Sequence, residues 1–346
     1  MTSRERMCKA IQKETPDRIP TFEYAIDRKV VEHFCPGGEY ADVVEELDLD
    51  GITAWEPSMG GYAKGLKTRT PGEVFIDEWG VTRKATAEMS AFPVEEGAPI
   101  GTKSDLTNYR VPDPDSPHRY STLAEYVQRF KGNKLITYNI VDMFETTKCL
   151  LGFQHFLLSV NQDLELLKSA YGVVTDWIIE VARKAVDLGA EMIIINGDLG
   201  FKTGTFIHPR VLGEIHMPHL HIVAEAIKDR RAYVFYHSHG NIWRVLDQIV
   251  HTGVDVIHPL ATEDQMDIGI VKKVFGSRVA VAGNISTDLL SRGSPVDVER
   301  ETRRTMEETA AGGGYVLMAA ASIHSGVKPQ NYRMMVDTVH RYGSYE

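Results

Sequence analysis

Residues Val174-Thr-Asp-Trp-Ile-Ile-Glu-Val-Ala-Arg-Lys-Ala-Val-Asp-Leu-Gly-Ala-Glu-Met-Ile-Ile-Ile-Asn196 hold a helix, its stop and a buried strand in direct succession. Val174, Ile178, Val181, Ala185 and Leu188 step by four, three, four and three, which makes one apolar stripe on a helix. Gly189 follows the last of them and supplies the residue on which helices commonly end. The run Met192-Ile-Ile-Ile195 then shows no apolar–polar alternation, as expected of a strand covered on both faces in a parallel sheet. Helix, glycine, strand: this is the repeating unit of an α/β protein.

The unit returns along the chain. Apolar runs occur at Leu135–Asn139, Glu191–Asn196, Ala232–His237, Val254–His258, Arg278–Gly283 and Gly314–Ala319. Gly253-Val-Asp-Val-Ile and Gly312-Gly-Gly-Tyr-Val repeat the tight helix-to-strand turn. The pattern predicts a single (β/α)8 TIM-type barrel over residues 1–346, with an irregular N-terminal third. In that third we expect a helix up to about Arg18, a strand at Arg18–Phe22, a helix at Tyr40–Leu47, a strand at Gly51–Trp55 and a hairpin within Glu73–Arg83. Pro112-Asp-Pro-Asp-Ser-Pro117 is a surface turn, too short for a domain linker.

Composition narrows the partners. With 43% hydrophobic and 25% charged residues the chain has the make-up of a globular domain. A formal net charge of −10 argues against nucleic acid and anionic membrane, both of which select basic surfaces. The N-terminus lacks a signal-peptide stretch and no run approaches a membrane span. Cys8, Cys35 and Cys149 are odd in number and form no CxxC pair, so they read as free thiols in a reducing, cytoplasmic compartment.

In such barrels chemistry sits where strands run into the following loops. Those ends carry Asn139 with Glu145 close behind, Asn196 and Asp198, His237 and His239, His258, Asn284, and His324. Tyr236-His237-Ser238-His239-Gly240-Asn241 is the sharpest local signal, since residues two apart on a strand share a face. Two imidazoles at a barrel mouth suit a divalent metal, or a general acid beside a substrate-binding donor; they also suit a simple strand-end cap. His216 and His219 read as packing or surface residues, and Gly312-Gly-Gly314 lacks the Lys and Ser/Thr of a phosphate loop.

Several segments together resemble the uroporphyrinogen decarboxylase superfamily, which includes cobalamin-dependent methyltransferases. Arg4-Glu-Arg-Met7 and Pro16-Asp-Arg-Ile-Pro20 resemble its opening helix and first strand, and Asp77-Glu-Trp-Gly-Val81 its early hairpin. Phe144-Glu145 with Leu151-Gly-Phe153 is similar to its next helix. Asp198–Pro209, His237-Ser-His-Gly-Asn241 and Val327-Lys-Pro-Gln-Asn331 complete the likeness.

The departures then select among members. The decarboxylases open with an Arg-rich segment that grips porphyrin carboxylates; here Phe22-Glu-Tyr-Ala-Ile-Asp-Arg28 has one Arg and two acids. The thiol methyltransferases hold zinc with a His-x-Cys pair and a late Cys; here the matching positions are His239 and, in Ala319-Ala-Ala-Ser-Ile-His324, Ala321. The resemblance therefore implies a methyltransferase that moves a methyl group from a small donor, an aryl methyl ether first, to cobalamin on a separate corrinoid protein. No Asp-x-His-x-x-Gly corrinoid motif lies in the chain itself. A cofactor-free decarboxylase and a non-catalytic ligand- or corrinoid-binding relative are the alternatives. Within the first reading His237 and His239 act on the leaving oxygen, by proton donation or through a zinc shared with Asp198. Asp198 otherwise orients or charges an imidazole. Glu145, Tyr138, Asn139, Tyr236, Trp55 and His324 would line the substrate site. Homo-oligomerisation stays open.

Overall fold

The computed structural model describes residues 1–58, 69–86 and 94–345. Its centre is an all-parallel sheet of seven strands: β1 Gly51–Trp55, β2 Leu135–Val141, β3 Met192–Asn196, β4 Tyr233–His237, β5 Val256–His258, β6 Ala280–Ile285 and β7 Tyr315–Ala319. They pair in chain order, each with the next, so every connection from β2 onward is a helical crossover in the manner of a βα barrel. The expected apolar runs are all strands, with ends shifted by at most two residues.

The expected strand at Arg18–Phe22 differs. Only Arg18 and Thr21 bridge, Arg18 to Ser344 and Thr21 to Leu317. The segment still fills the eighth position: Leu317 N–H donates to Pro20 O and Phe22 N–H to Leu317 O on one side, and Asp50 N–H donates to Thr21 O on the other. Pro20 has no N–H to give, which breaks a regular ladder there. The first helix is likewise shorter than expected, Ser3–Ile11, opened by a capping box between Thr2 and Glu5. The expected helix is present at Tyr40–Glu46, and the hairpin at Val74–Ile76 and Thr82–Lys84 is joined by a third antiparallel strand at Val94–Gly97.

The stripe at Val174–Leu188 belongs to a helix spanning Leu164–Leu188, with Gly189 at its C-cap at φ 120°. There a side chain would both meet Val127 and sit in a region disfavoured for L-residues. Strand alternation splits the core in two. Phe22, Leu135, Met192, Ile194, Phe235, Val256, Ala282, Val316 and Met318 fill the lumen, and Met7, Ala10 and Ile11 of the first helix join them. Ile136, Tyr138, Ile193, Ile195, Tyr236 and Leu317 face the helical layer. Ile193, Ile194 and Ile195 are each fully buried, and burying such a side chain stabilises the fold by about 1.5–3 kcal/mol. Above the apolar layers, toward the strands' C-terminal ends, the inward positions turn polar.

Among the described residues no helix is long and apolar enough to cross a membrane. Cys8, Cys35 and Cys149 are free thiols, as expected.

Candidate active site

The polar layer is set by strand parity. Asn139, Asn196, His237, His258 and Asn284 alternate with residues of the outer core, so they share the lumen with Thr53 and Trp55. β4 and β5 pair with His237 opposite His258. Their rings lie 4.9 Å apart between centroids, with Nδ1 to Nδ1 at 2.7 Å. His258 Nε2 is 3.0 Å from Ala319 O. Tyr24 packs edge-on against both rings, at 5.4 and 5.6 Å, and at a tilt against Trp55, whose Nε1–H donates to Tyr24 O at 2.9 Å.

His239 lies beyond the strand end, in the loop, and its ring is 5.1 Å from that of His237. Its backbone N–H donates to Asp198 Oδ1 at 2.9 Å, and its Nδ1 is 3.2 Å from Asp264 Oδ2. Gly240 N–H donates to the same Asp264 oxygen. At Gly240 a Cβ would lie 2.3 Å from the Gly200 carbonyl carbon, so glycine is needed where these loops cross. His237 Nε2 faces Asp198 Oδ1 at 3.7 Å.

The sequence treats the two imidazoles alike; their surroundings separate them. Burial and the neighbouring His239 push the His237 pKa well below its ordinary value. Burial also opposes charge on His239, but the hydrogen bond to Asp264 and the charges of Asp198 and Asp264 outweigh it, and its pKa rises. His237 is therefore a neutral ring, and His239 an acid carrying a proton further up the pH scale.

Glu145 stands beside this pair, in the first turn of the helix Met143–Leu151. It holds an ion pair with Lys148 and accepts the backbone N–H of Asp198, while burial pushes its pKa up. Asp142 caps that helix through Glu145 N–H at 2.8 Å and is completely buried, with Oδ2 unpartnered. Burial raises its pKa to about 8. Asn139 is also buried under the mouth with Nδ2 unpartnered, its Oδ1 3.5 Å from Asn196 Nδ2.

Two expected site residues are placed elsewhere. Tyr138 and Tyr236 point out of the lumen into the helical layer. Tyr138 donates to Arg119 O at 2.9 Å, and Tyr236 OH lies 3.0 Å from His216 Nε2. Each is the chain neighbour of an inward residue, Asn139 and His237, so neither can line the same space. His324 accepts from Gly326 N–H within its own loop. His216 packs in the core, as the sequence suggests. Asp264, Tyr24 and Asp142 are members that the sequence reading missed.

The expected zinc set was His237, His239 and Asp198. One nitrogen of each ring is already engaged, by His258 and by Asp264, and Asp198 Oδ1 is shared with a backbone N–H. Among the described residues no three His, Cys, Asp or Glu side chains converge as ligands. Side chains arranged in this way do not present the three converging ligands that a catalytic zinc takes. What these residues support directly is hydrogen bonding and proton transfer.

Residues 83–342 match the family model for uroporphyrinogen decarboxylase (URO-D). The chain belongs to the uroporphyrinogen decarboxylase family. It is 25% identical over 265 residues to the uroporphyrinogen decarboxylase of Pseudoalteromonas atlantica, covering 71% of this chain and 70% of that one. It is 26% identical over 264 residues to that of Thioalkalivibrio sulfidiphilus, covering 71% of each. Among solved structures, a methyltransferase from Methanosarcina mazei superposes with a TM-score of 0.75 at 16% identity, over 99% of both chains. A B12-independent methionine synthase from Shewanella gives 0.54 at 9% identity, over 87% of this chain and 83% of that one. These likenesses place the chain in an enzyme superfamily built on the barrel just described.

Proposed function

We propose that this chain is a methyltransferase moving a methyl group from a small uncharged methoxylated donor, an aryl methyl ether first, to a corrinoid carried by a separate protein. The electrostatics of the lumen support this reading most. Among the described residues, the inward strand positions near the mouth carry Trp55, Asn139, Asn196, His237, His258 and Asn284, and no Lys or Arg. Three nearby cations are engaged already, Arg83 with Asp77, Arg119 with Glu56 and Lys148 with Glu145, while Lys202 stands close enough to Asp264 to help lower its pKa. Each carboxylate taken from water without a partner costs several kcal/mol, so a polycarboxylate is a poor guest and a neutral ether a good one.

A corrinoid, when presented, supplies the nucleophile that takes the methyl carbon. The rim it would meet holds His239 and Asp198, whose side chains are 31% and 44% exposed. The chain's own task is the leaving oxygen. As the methyl–oxygen bond breaks, its electron pair passes to oxygen, and the Nε2–H of His239 donates the proton that makes a neutral phenol. Asp264 holds the imidazolium through Nδ1 before the transfer. Asn139 Nδ2, buried without a partner, is a donor left for the ligand. The Methanosarcina protein of the same fold is described as a methyltransferase, which agrees with the reading.

The second reading is decarboxylation, favoured by the curated relatives named uroporphyrinogen decarboxylase. Free cob(I)alamin with a series of methoxybenzenes separates the two. Release of the phenol, lowered about 10²–10⁴-fold in His239→Gln as a lost general acid should be, supports methyl transfer. Carbon dioxide release from uroporphyrinogen, with no demethylation of any ether, overturns it.

A further inference from the structure

We infer that His258 is a positioning residue that fixes His237 in one tautomer, with Nδ1 protonated and Nε2 left as a bare acceptor toward the barrel mouth. The hydrogen bonds from Ala319 through His258 to His237 form a chain with one consistent set of donors. Ala319 O can only accept, so the nitrogen 3.0 Å away, His258 Nε2, carries a proton. His258 is completely buried against Tyr24, Phe235 and His237, with no carboxylate in contact, so it is neutral and its Nδ1 has a lone pair. The 2.7 Å contact between the two Nδ1 atoms then needs its proton from His237. His237 is buried too and holds one proton only. Its Nε2 is therefore unprotonated.

The anchor of this chain is held firmly. Ala319 ends β7, and its N–H donates to Glu23 Oε1 at 2.7 Å, so the residue that offers the carbonyl is fixed from the opposite side. Glu23 is itself 1% exposed. The far end of the chain has a chemical consequence. His237 Nε2 faces Asp198 Oδ1 at 3.7 Å, and both are acceptors. Such a pair favours a ligand group that brings its own proton, such as a hydroxyl, over one that offers only lone pairs. His237 then binds by accepting, while His239 nearby donates. This assignment holds whichever reaction the site performs, so its failure and that of the methyl-transfer reading are separate results.

The test is a long-range ¹H–¹⁵N spectrum of the whole protein labelled with ¹⁵N-histidine, taken at a pH where imidazoles are neutral. His237 is assigned by the resonances lost in His237→Gln. We expect its Nε2 at the unprotonated position and Nδ1 at the protonated one. His258→Leu should release that preference and move the Nε2 intensity toward the protonated position. His258→Gln, whose amide can both donate to Ala319 O and accept from His237, should restore it. In the parent, phenol should shift the His237 Nε2 resonance and anisole, which has no donor, should not. A protonated Nε2 in the parent, a His258→Leu spectrum identical to the parent, or equal shifts from phenol and anisole would each overturn the inference. Should His258→Leu fail to fold, the parent spectrum and the phenol–anisole comparison decide it alone.

Discussion

Replacing Asp142 by Asn should make the protein more stable above neutral pH, although it removes a carboxylate beside the active site. Asp142 is fully buried, and its pKa in the fold is pushed up to about 8, first by burial and then by the charges of Glu145 and Asp198. An unfolded aspartate titrates near about 3.9, and each unit of difference is worth about 1.4 kcal/mol. Between the two values the native state keeps a proton that the unfolded state has lost. Stability therefore falls as pH rises through this window, by on the order of 5 kcal/mol at most, and is level above it. Asn cannot ionise in either state, so it escapes the loss. Its Oδ1 can still cap Glu145 N–H, and its amide group would occupy the place of Oδ2, which has no partner and lies 4.0 Å from His216 Nε2. Urea unfolding of parent and variant at steps from acid to alkaline pH gives the difference directly, with all unaffected groups cancelling. The variant should match or trail the parent in acid and lead it by a few kcal/mol above pH 8. A difference independent of pH would show that Asp142 ionises normally in the fold and refute the reasoning.

Gly197→Ala should cost about 1–3 kcal/mol, the usual penalty of overpacking, because the added Cβ would lie 2.0 Å from the Asp142 carboxyl carbon; Asp142→Ala on the same background should recover most of that loss in a thermal melt. Asp264→Asn keeps an acceptor for His239 Nδ1–H but removes the charge that helps to hold up the His239 pKa, so the alkaline fall of turnover, where His239 loses its proton, should move to lower pH. Arg119→Met strands Glu56, which is 2% exposed, and should destabilise by about 3–5 kcal/mol as breaking a buried pair does; chemical denaturation measures it.

The fold was legible because its signals are local. The stripe from Val174 to Leu188, the stop at Gly189 and the unbroken Ile193-Ile-Ile195 each follow from a few neighbouring residues; the structure realises the stop and the strand, and buries the stripe as far as Ala185 while leaving Leu188 exposed. The eighth position was harder. Arg18–Phe22 reads as a strand by composition, but Pro20 removes a donor, and only backbone pairing to Leu317 and Asp50 reveals its place. Tyr138 and Tyr236 face the helices and not the lumen, which the strand period predicts and hydrophobicity does not. In a strand that is apolar on both faces hydrophobicity gives no direction, yet the period of two does. Once Asn139 and His237 are assigned to the lumen, Tyr138 and Tyr236 must face the helices.

The site shows where local reading stops. His237 and His239 are two residues apart and announce themselves, but what distinguishes them comes from other strands and loops. His258 reaches His237 through the pairing of β5 with β4, a matter of register that no window of sequence contains. Asp264 reaches His239 from the turn after β5, inside the stretch Thr262–Asp264 that carries no motif. The same two residues decide the chemistry. An imidazole backed by a second, neutral imidazole accepts; one backed by a carboxylate donates. The pair in the sequence is symmetric, and the barrel makes it an acceptor beside a donor.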